Sequence, residues 1–351
     1  MSRLKIGYVP NSVDLGHPAD RRRIVYWAKK RGHEITLDLN TNYDVLVLSG
    51  RADLTKWSEL ENRPPLILDL VDGYLGDELF WRDWVRGAGK VLTGHNSGKV
   101  RPFRKIVGEA CRLAQAVICE TTEQKKTILP YCANTHAILD FHEEFPMLPF
   151  RPESQSDNFP SLMWEGLPFT AKGLLQLEEA FSDISKSQRI SLEMVTDLFY
   201  PLFLGKYFNQ STQKILQRVP DILGNQFRIT EWNIEAVVEA ARRSHMAVLP
   251  LDPTGTLNPL KAENRLLMMW RIGLPTLVSP SFAYTRVMQA TGIDGVCHSP
   301  EEWKEKISRL MNSVELREEW VERGQQYIRD THSEELVLSA WDNLFDSVLQ
   351  K

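Results

Sequence analysis

Residues 258–284 read NPLKAENRLLMMWRIGLPTLVSPSFAY. A turn at Asn258-Pro259 leads into a helix from about Ala262. NRLLMMWRIG continues that helix, and LPTLVSP follows as a short apolar strand. A strand that is apolar on both faces belongs in a parallel sheet covered by helices. The same unit repeats upstream. SLMWEG, ISLEMVTD and HMAVLPL read as strands, separated by the amphipathic stretches LLQLEEAFSDI and IEAVVEAARRS. Downstream, a helical tail runs from about Glu301 to Leu349, with Trp303, Ile307, Leu310, Trp320 and Tyr327 on its apolar side. Its last part follows the break DTHS and is expected to return to the N-terminal half.

The N-terminal half alternates in the same way. LKIGYVP, HEITLDL, YDVLVLSG, PPLILDLVD, KVLTGHN and AQAVICETT read as strands. A helix from Arg22 to the stop at Gly32 follows the first of them, and another from about Arg104 precedes the last. Between Asp140 and Pro160 the period is lost in a proline-rich, polar stretch that reads as a linker. Two doubly wound, Rossmann-like α/β domains follow. The first covers residues 1–145, joined by about 333–351, and the second covers 155–332. In open α/β sheets, ligands bind outside the carboxyl ends of the strands, which makes a cleft between two such domains the expected site.

The bulk properties narrow the chemistry. The 351 residues carry a formal net charge of -4 with 25% charged residues, an ordinary globular balance without the basic excess of a nucleic-acid binder. The four cysteines, Cys111, Cys119, Cys132 and Cys297, form no C-x-x-C pair and no zinc spacing. They read as reduced, buried thiols of a cytoplasmic protein. MSRLKIGYVP does not read as a secretory signal, and no apolar run reaches the roughly 20 residues of a membrane span. Neither G-x-G-x-x-G after the first strand, nor a Walker A motif, nor G-x-S-x-G, nor D-x-D occurs. This argues against a dinucleotide dehydrogenase, a P-loop NTPase, a nucleophile-elbow hydrolase and a metal-held donor. No cofactor and no metal are expected.

Lys261, Asn264 and Arg265 fall at the N-terminal end of the helix in 258–284. Unsatisfied amides and the dipole make such an end an anion site. Each charge-assisted hydrogen bond there contributes about 1.5–3 kcal/mol. Cations at this end oppose the dipole unless an anion is bound, which suits a diphosphate.

On these residues the chain resembles GT-B glycosyltransferases, especially the large retaining, family 4-like group. Gly273-Leu274-Pro275 matches that group's G-L-P turn, and TLVSP the strand after it. WEGLPFTAKGLLQLEEAF (164–181) resembles its first C-domain strand, glycine loop and helix. Lys172-Gly173 matches a lysine-glycine pair whose lysine contacts the donor diphosphate, with Gly166 in the loop. The resemblance spans about residues 155–351 and touches the first domain only in outline. It implies a nucleoside-diphosphate sugar as donor and a glycan or lipid-linked glycan as acceptor, with a retaining outcome favoured over an inverting one. Two family glutamates fall at Leu260 and Met268, and a family arginine at Leu167, so the donor motif is divergent. Glu263 lies near in another register.

Other polar residues complete the expected site. Asp69 and Asp72 close the strand PPLILDLVD, where a carboxylate can serve as a general base. His95 resembles the histidine that the family places near the donor sugar. Gly16, His17 and Arg21 lie on the first-strand loop, on the acceptor side, with Asp20 read as a helix cap. Trp232, after FRIT, falls where a nucleobase would stack or in the core, and Tyr284 falls near the donor sugar or phosphate. FWRDWVR (80–86), with Arg101, Arg104 and Lys105, mixes aromatics with cations, as a peripheral membrane contact or an ordinary packed helix would. The function expected is metal-independent glycosyl transfer. The alternatives are a nucleotide-binding scaffold on the same fold that has lost catalysis and, at lower weight, a sugar-nucleotide epimerase.

Overall fold

The computed structural model describes residues 2–56, 64–76, 80–97, 99–152, 159–202, 208–216, 218–255 and 258–349. The chain divides into two units. One comprises Met1–Phe141, Leu260–Ala262 and His332–Lys351; the other comprises His142–Pro259 and Glu263–Thr331.

The first unit is a six-stranded parallel sheet in the order β2-β1-β3-β4-β5-β6. The strands are β1 (Lys5–Val9), β2 (Glu34–Thr36), β3 (Val45–Ser49), β4 (Leu66–Asp69), β5 (Ala116–Cys119) and β6 (Thr135–Ala137). The helices are α1 (Pro18–Arg21), α2 (Ile24–Arg31), α3 (Phe80–Leu92), α4 (Phe103–Leu113) and α5 (Thr122–Ile128). β3, β4 and β5 are buried along their whole length, because helices cover both faces of the sheet.

One face carries α2 and the C-terminal helix Glu334–Leu349, whose Trp341, Leu344 and Phe345 join Trp27 in one core cluster. Trp27 stacks on Phe345 at 4.2 Å, and its Nε1 donates to Asp342 at 2.8 Å. The other face carries α4, through Phe103, Ile106 and Val107. The strand order reverses between β1 and β3, so this unit's switch point lies at their carboxyl ends.

Three local readings differ from the structure. KVLTGHN is not a strand: α3 runs to Leu92, and His95 lies in the turn after it, with its N–H donating to Lys90 O at 2.8 Å. HEITLDL contributes only Glu34–Thr36, because Asp38, Asn40 and Thr41 form side-chain-to-backbone turns with one another. Asp20 does not cap α1. His17 does, its Nδ1 accepting from Ala19 N at 3.2 Å.

The second unit is a five-stranded parallel sheet, β11-β8-β7-β12-β13. It is built from β7 (Ser161–Glu165), β8 (Ser191–Thr196), β11 (Phe227–Glu231), β12 (Met246–Leu249) and β13 (Thr276–Val278). β9 (Phe199–Leu202) and β10 (Phe208–Ser211) form a separate antiparallel pair. Its helices are α6 (Glu178–Ser185), α7 (Val219–Leu223), α8 (Ile234–Arg243), α9 (Asn264–Arg271), α10 (Phe282–Thr291), α11 (Pro300–Met311) and α12 (Val314–Thr331). In this unit's own chain order the strands run third-second-first-fourth-fifth, so the switch point lies between β7 and β12.

α9 ends in a Schellman motif. Gly273, at φ +81°, donates to Trp270 O, and Leu274 N donates to Met269 O at 2.9 Å. This is the physical content of the G-L-P turn: a glycine takes the left-handed position, and Pro275 cannot extend the helix. A Cβ on Gly273 would also lie 2.7 Å from Pro149 O. The 140–160 stretch is therefore not a free linker where it is described. Leu148 N donates to Arg271 O at 2.8 Å, and Leu148 O accepts from Gln325. Residues 153–158 of that stretch lie outside the described residues.

Candidate functional site

In the second unit, the switch point places Glu165 and Gly166 at the carboxyl end of β7. Gly166 O accepts from Thr196 Oγ1 at 2.7 Å, which ties the turn to β8. Glu165 O accepts from Arg265 Nη1 at 2.7 Å, and Glu165 Oε1 accepts from Trp232 Nε1 at 2.9 Å. A Cβ on Gly166 would sit 2.6 Å from Arg265 Nη1 and 2.9 Å from Thr170 Oγ1. Glycine at 166 is therefore what lets the guanidinium reach the strand end.

Arg265 is the second residue of α9, and its guanidinium lies 5.8 Å from the Trp164 ring centroid. Its Nη2 is buried without a hydrogen-bond partner, as is Trp164 Nε1. A buried unmet donor costs about 1–3 kcal/mol, more on a charged group. Arg265 thus spends one nitrogen on a carbonyl and keeps another buried and unmet.

The remaining donor candidates separate. Lys172 is exposed, on 3-10 turns spanning Pro168–Leu177, which also take up the first residues of the helix expected from Leu174. Asn264 is half-buried and opens α9. Glu263 is buried, and its Oε1 accepts from Arg286 Nη2 at 2.8 Å, which neutralises it. Tyr284 is fully buried in α10, so its ring belongs to the core and not to a sugar site. Trp232 is half-buried, and its edge is spent on Glu165. Lys261 is not at the helix start. α9 begins at Asn264, and Lys261 belongs to the first unit, where its Nζ lies 3.6 Å from Asp72 Oδ1.

The first unit gathers its carboxylates at the ends of β4, β5 and β6. Asp69 is buried and engaged by Arg23 on both oxygens, Nε to Oδ2 at 2.9 Å and Nη2 to Oδ1 at 2.6 Å. Arg23 Nη1 also donates to Ile138 O at 2.7 Å and to Asp140 Oδ1 at 3.2 Å. Burial opposes the charge on Arg23, and Asp69 with Asp140 outweighs it, which raises the guanidinium pKa. A carboxylate locked in this way is not a free base, and Asp69 reads as a buried structural ion pair.

Asp20 is equally committed, accepting from the Tyr8 hydroxyl, both nitrogens of Asn11, and Ser12 N. Asp72 is half-buried between Lys261 and the Tyr74 hydroxyl, which donates to it at 3.1 Å. Burial, with Asp140 adding to it and Arg23 opposing, pushes the half-buried carboxyl of Glu120 up. His95 is half-buried, its Nδ1 2.7 Å from Thr93 Oγ1, and burial with Lys90 and Arg51 lowers its pKa. Gly16 O accepts from Arg21 Nε at 3.1 Å, so the loop holding Gly16, His17 and Arg21 is closed on itself.

The sequence reading missed Arg23, Glu120 and Asp140. Their one sequence signal is a charged residue beside an apolar strand or helix, which is too common to single them out. Among the described residues, no group of three or more His, Cys, Asp or Glu side chains is arranged to hold a metal ion.

No protein-family model matches the sequence, and comparison with curated proteins gives no match. Solved structures do match. TarM superposes with a TM-score of 0.62 at 13% identity over 86% of this chain, which spans about half of TarM's length (54%). WaaG, a glycosyltransferase involved in lipopolysaccharide biosynthesis, gives 0.59 at 10% identity over 99% of this chain and 100% of its own. A glycosyltransferase from Rickettsia africae gives 0.60 at 12% identity over the whole of both chains. Two parallel-sheet units with their switch points, and the C-terminal helix returned to the first unit, thus coincide with solved structures at full length: the chain has the GT-B fold of glycosyltransferases.

Proposed function

We propose that the chain is a metal-independent glycosyltransferase that holds a nucleoside-diphosphate sugar in its second unit and transfers the sugar to a hydroxyl of a glycan or lipid-linked glycan. The observation that carries this reading is Arg265. One nitrogen is anchored on Glu165 O, and Nη2 is buried and unmet, at the carboxyl end of the switch-point strand. The leaving diphosphate gains charge as the glycosidic bond breaks, and a fixed guanidinium stabilises that charge without reorganising. Lys172, exposed on the 3-10 turns that follow Gly166, supplies a second cation. A complex of an S. aureus TarM mutant holding UDP and alpha-GlcNAc-glycerol is in keeping with this donor and acceptor chemistry. Asp69 is locked by Arg23, which favours a retaining outcome over an inverting one that would need it as a base.

Isothermal calorimetry with UDP and GDP tests the donor assignment. Arg265→Ala and Lys172→Ala are each expected to weaken the better-bound nucleotide, the first by tenfold or more, about 1.4 kcal/mol. Lys172→Ala touches an exposed side chain and leaves the fold unchanged. Equal affinity in both variants would sink the diphosphate site.

A second reading, a nucleotide-binding scaffold without transfer, rests on Met268 and Leu260. At the positions where the family resemblance expects glutamates, both side chains are buried and apolar. The N-terminal domain of Candida albicans trehalose-6-phosphate phosphatase shares the fold at a TM-score of 0.59, and a fold by itself does not fix an activity. Tight nucleotide binding with neither hydrolysis nor transfer across a panel of sugar nucleotides would establish this reading instead.

A further inference from the structure

At the first unit's switch point, Arg51 joins the loops that follow β1 and β3. Its Nη1 donates to Asn11 O at 3.3 Å, which leaves most of the guanidinium's N–H groups over. The residue before it, Gly50, receives a second cation: Gly50 O accepts from Lys90 Nζ at 3.3 Å. Lys90 is half-buried on α3, and its ammonium lies 5.3 Å from the Phe103 ring centroid, so it is turned to the strand end. Among the described residues, neither Arg51 nor Lys90 is paired with a carboxylate. Backbone carbonyls position both cations without cancelling their charge.

The turn after α3 adds an amide to the same corner. His95 N and Asn96 N both donate to Lys90 O, at 2.8 and 3.0 Å. Asp53, in the loop after β3, holds the far side of the turn by accepting from Ser97 N at 2.8 Å. Between these two anchors Asn96 is 4% exposed, and neither its Nδ2 nor its Oδ1 has a partner. Burying an amide with nothing to meet it is destabilising, and an arriving ligand oxygen would relieve it.

The local field has one sign. Burial lowers the pKa of His95, then Lys90 and Arg51 lower it further, and no carboxylate opposes them. Lys90 is lowered by burial, Arg51 and Arg86, with Asp72 opposing. Asp72 faces Lys261 and the Tyr74 hydroxyl, and Asp53 is taken up by its turn.

We propose that Arg51, Lys90 and Asn96 form an anion subsite of the first unit, which takes a phosphate group carried by the acceptor. A phosphate suits it better than a carboxylate. Guanidinium, ammonium and amide come from three chain segments, and a tetrahedral dianion offers an oxygen to each. The subsite stands on these residues alone. Giving it to the acceptor rests on the transferase reading, and narrows that acceptor to a phosphorylated sugar or a phosphate-linked lipid carrier.

Isothermal calorimetry of the full chain with glucose 6-phosphate tests the subsite, with glucose, inorganic phosphate and dodecyl phosphate as comparisons. Glucose 6-phosphate is expected to bind and glucose not to bind. Arg51→Ala and Lys90→Met should each weaken the phosphate about tenfold, whereas Arg265→Ala in the second unit should not. Asn96→Leu, of similar shape, should weaken it while the melting temperature holds or rises, because the unmet amide is gone. Dodecyl phosphate binding tighter than glucose 6-phosphate supports the subsite and assigns its phosphate to a lipid carrier. Phosphate binding without any UDP or GDP binding also supports the subsite and removes only its assignment to an acceptor. No binding of any of the three phosphates overturns the proposal. So does unchanged affinity in Arg51→Ala and Lys90→Met, or an equal loss in Arg265→Ala, which would place the phosphate in the second unit.

Discussion

The two sheets place different electrostatics at their carboxyl ends. In the first unit, the carboxylates are engaged internally: Asp69 is paired with Arg23, Asp72 faces Lys261, and Asp20 in α1 accepts from five hydroxyl and amide donors of Tyr8, Asn11 and Ser12. In the second, strand-end charge is left open, because Arg265 keeps a buried nitrogen unmet and Lys172 stands in solvent. Burial explains the contrast. A carboxylate buried at the end of a central strand cannot stay ionised alone, so it acquires a partner and becomes structural. A guanidinium beside a glycine can keep one donor in reserve, because its rigid fork distributes several N–H groups. Proximity to a strand end is therefore a poor guide to catalysis by itself; the state of the partners decides.

The sharpest way to break this comparison is Arg23→Ala. It strands Asp69 and Asp140 without a counter-ion in the first unit, and we expect a loss of about 3–5 kcal/mol in urea unfolding. A loss under about 1 kcal/mol would mean that the pair is not structural. Gly166→Ala addresses the second unit. Its Cβ must push Arg265 Nη1 off Glu165 O, which should cost about 1–3 kcal/mol of stability and weaken nucleoside-diphosphate binding about tenfold, about 1.4 kcal/mol. Unchanged affinity would detach Gly166 from the anion site.

The smallest effect is expected at His17. Burial, with Arg51 second, lowers its pKa, so the neutral ring that caps α1 is the folded form. The unfolded histidine takes up its proton first as pH falls. The contribution is therefore complete above a pH of about 6.5 and is lost below it, down through the folded pKa. His17→Asn keeps a capping acceptor that does not titrate. The melting temperature of this variant should rise relative to the parent as pH drops from 7 to 5; a constant difference would exclude the cap as the titrating element.

Much of the fold was legible in the sequence because it rests on short-range period. The apolar runs VLVLS, LILD and AVIC became strands buried on every residue, and Gly273 became the left-handed position that closes α9. KVLTGHN misled because valine and leucine beside a glycine read as a strand, whereas α3 is held by tertiary contacts at Gly87 and Asp83. The candidate site was legible only in part. Gly166 and Arg265, far apart in sequence, were both singled out and do meet, and Asn264 begins the same helix. Tyr284 and Asp69 were chosen for their positions near strand ends and proved to be core and counter-ion.

Sequence by itself determined the two alternating α/β units, the glycine-closed helix and the absence of a Walker or dinucleotide motif, since each depends on residues within a turn or two of one another. Only the tertiary structure decided which charges are spent. Arg23 finds Asp69 across 46 residues and Asp140 across 117, and Arg265 finds the carbonyl of Glu165 across 100. Pairings at that separation follow from sheet order and burial, where desolvation makes each ionised group seek a partner, and no local pattern in the chain encodes them.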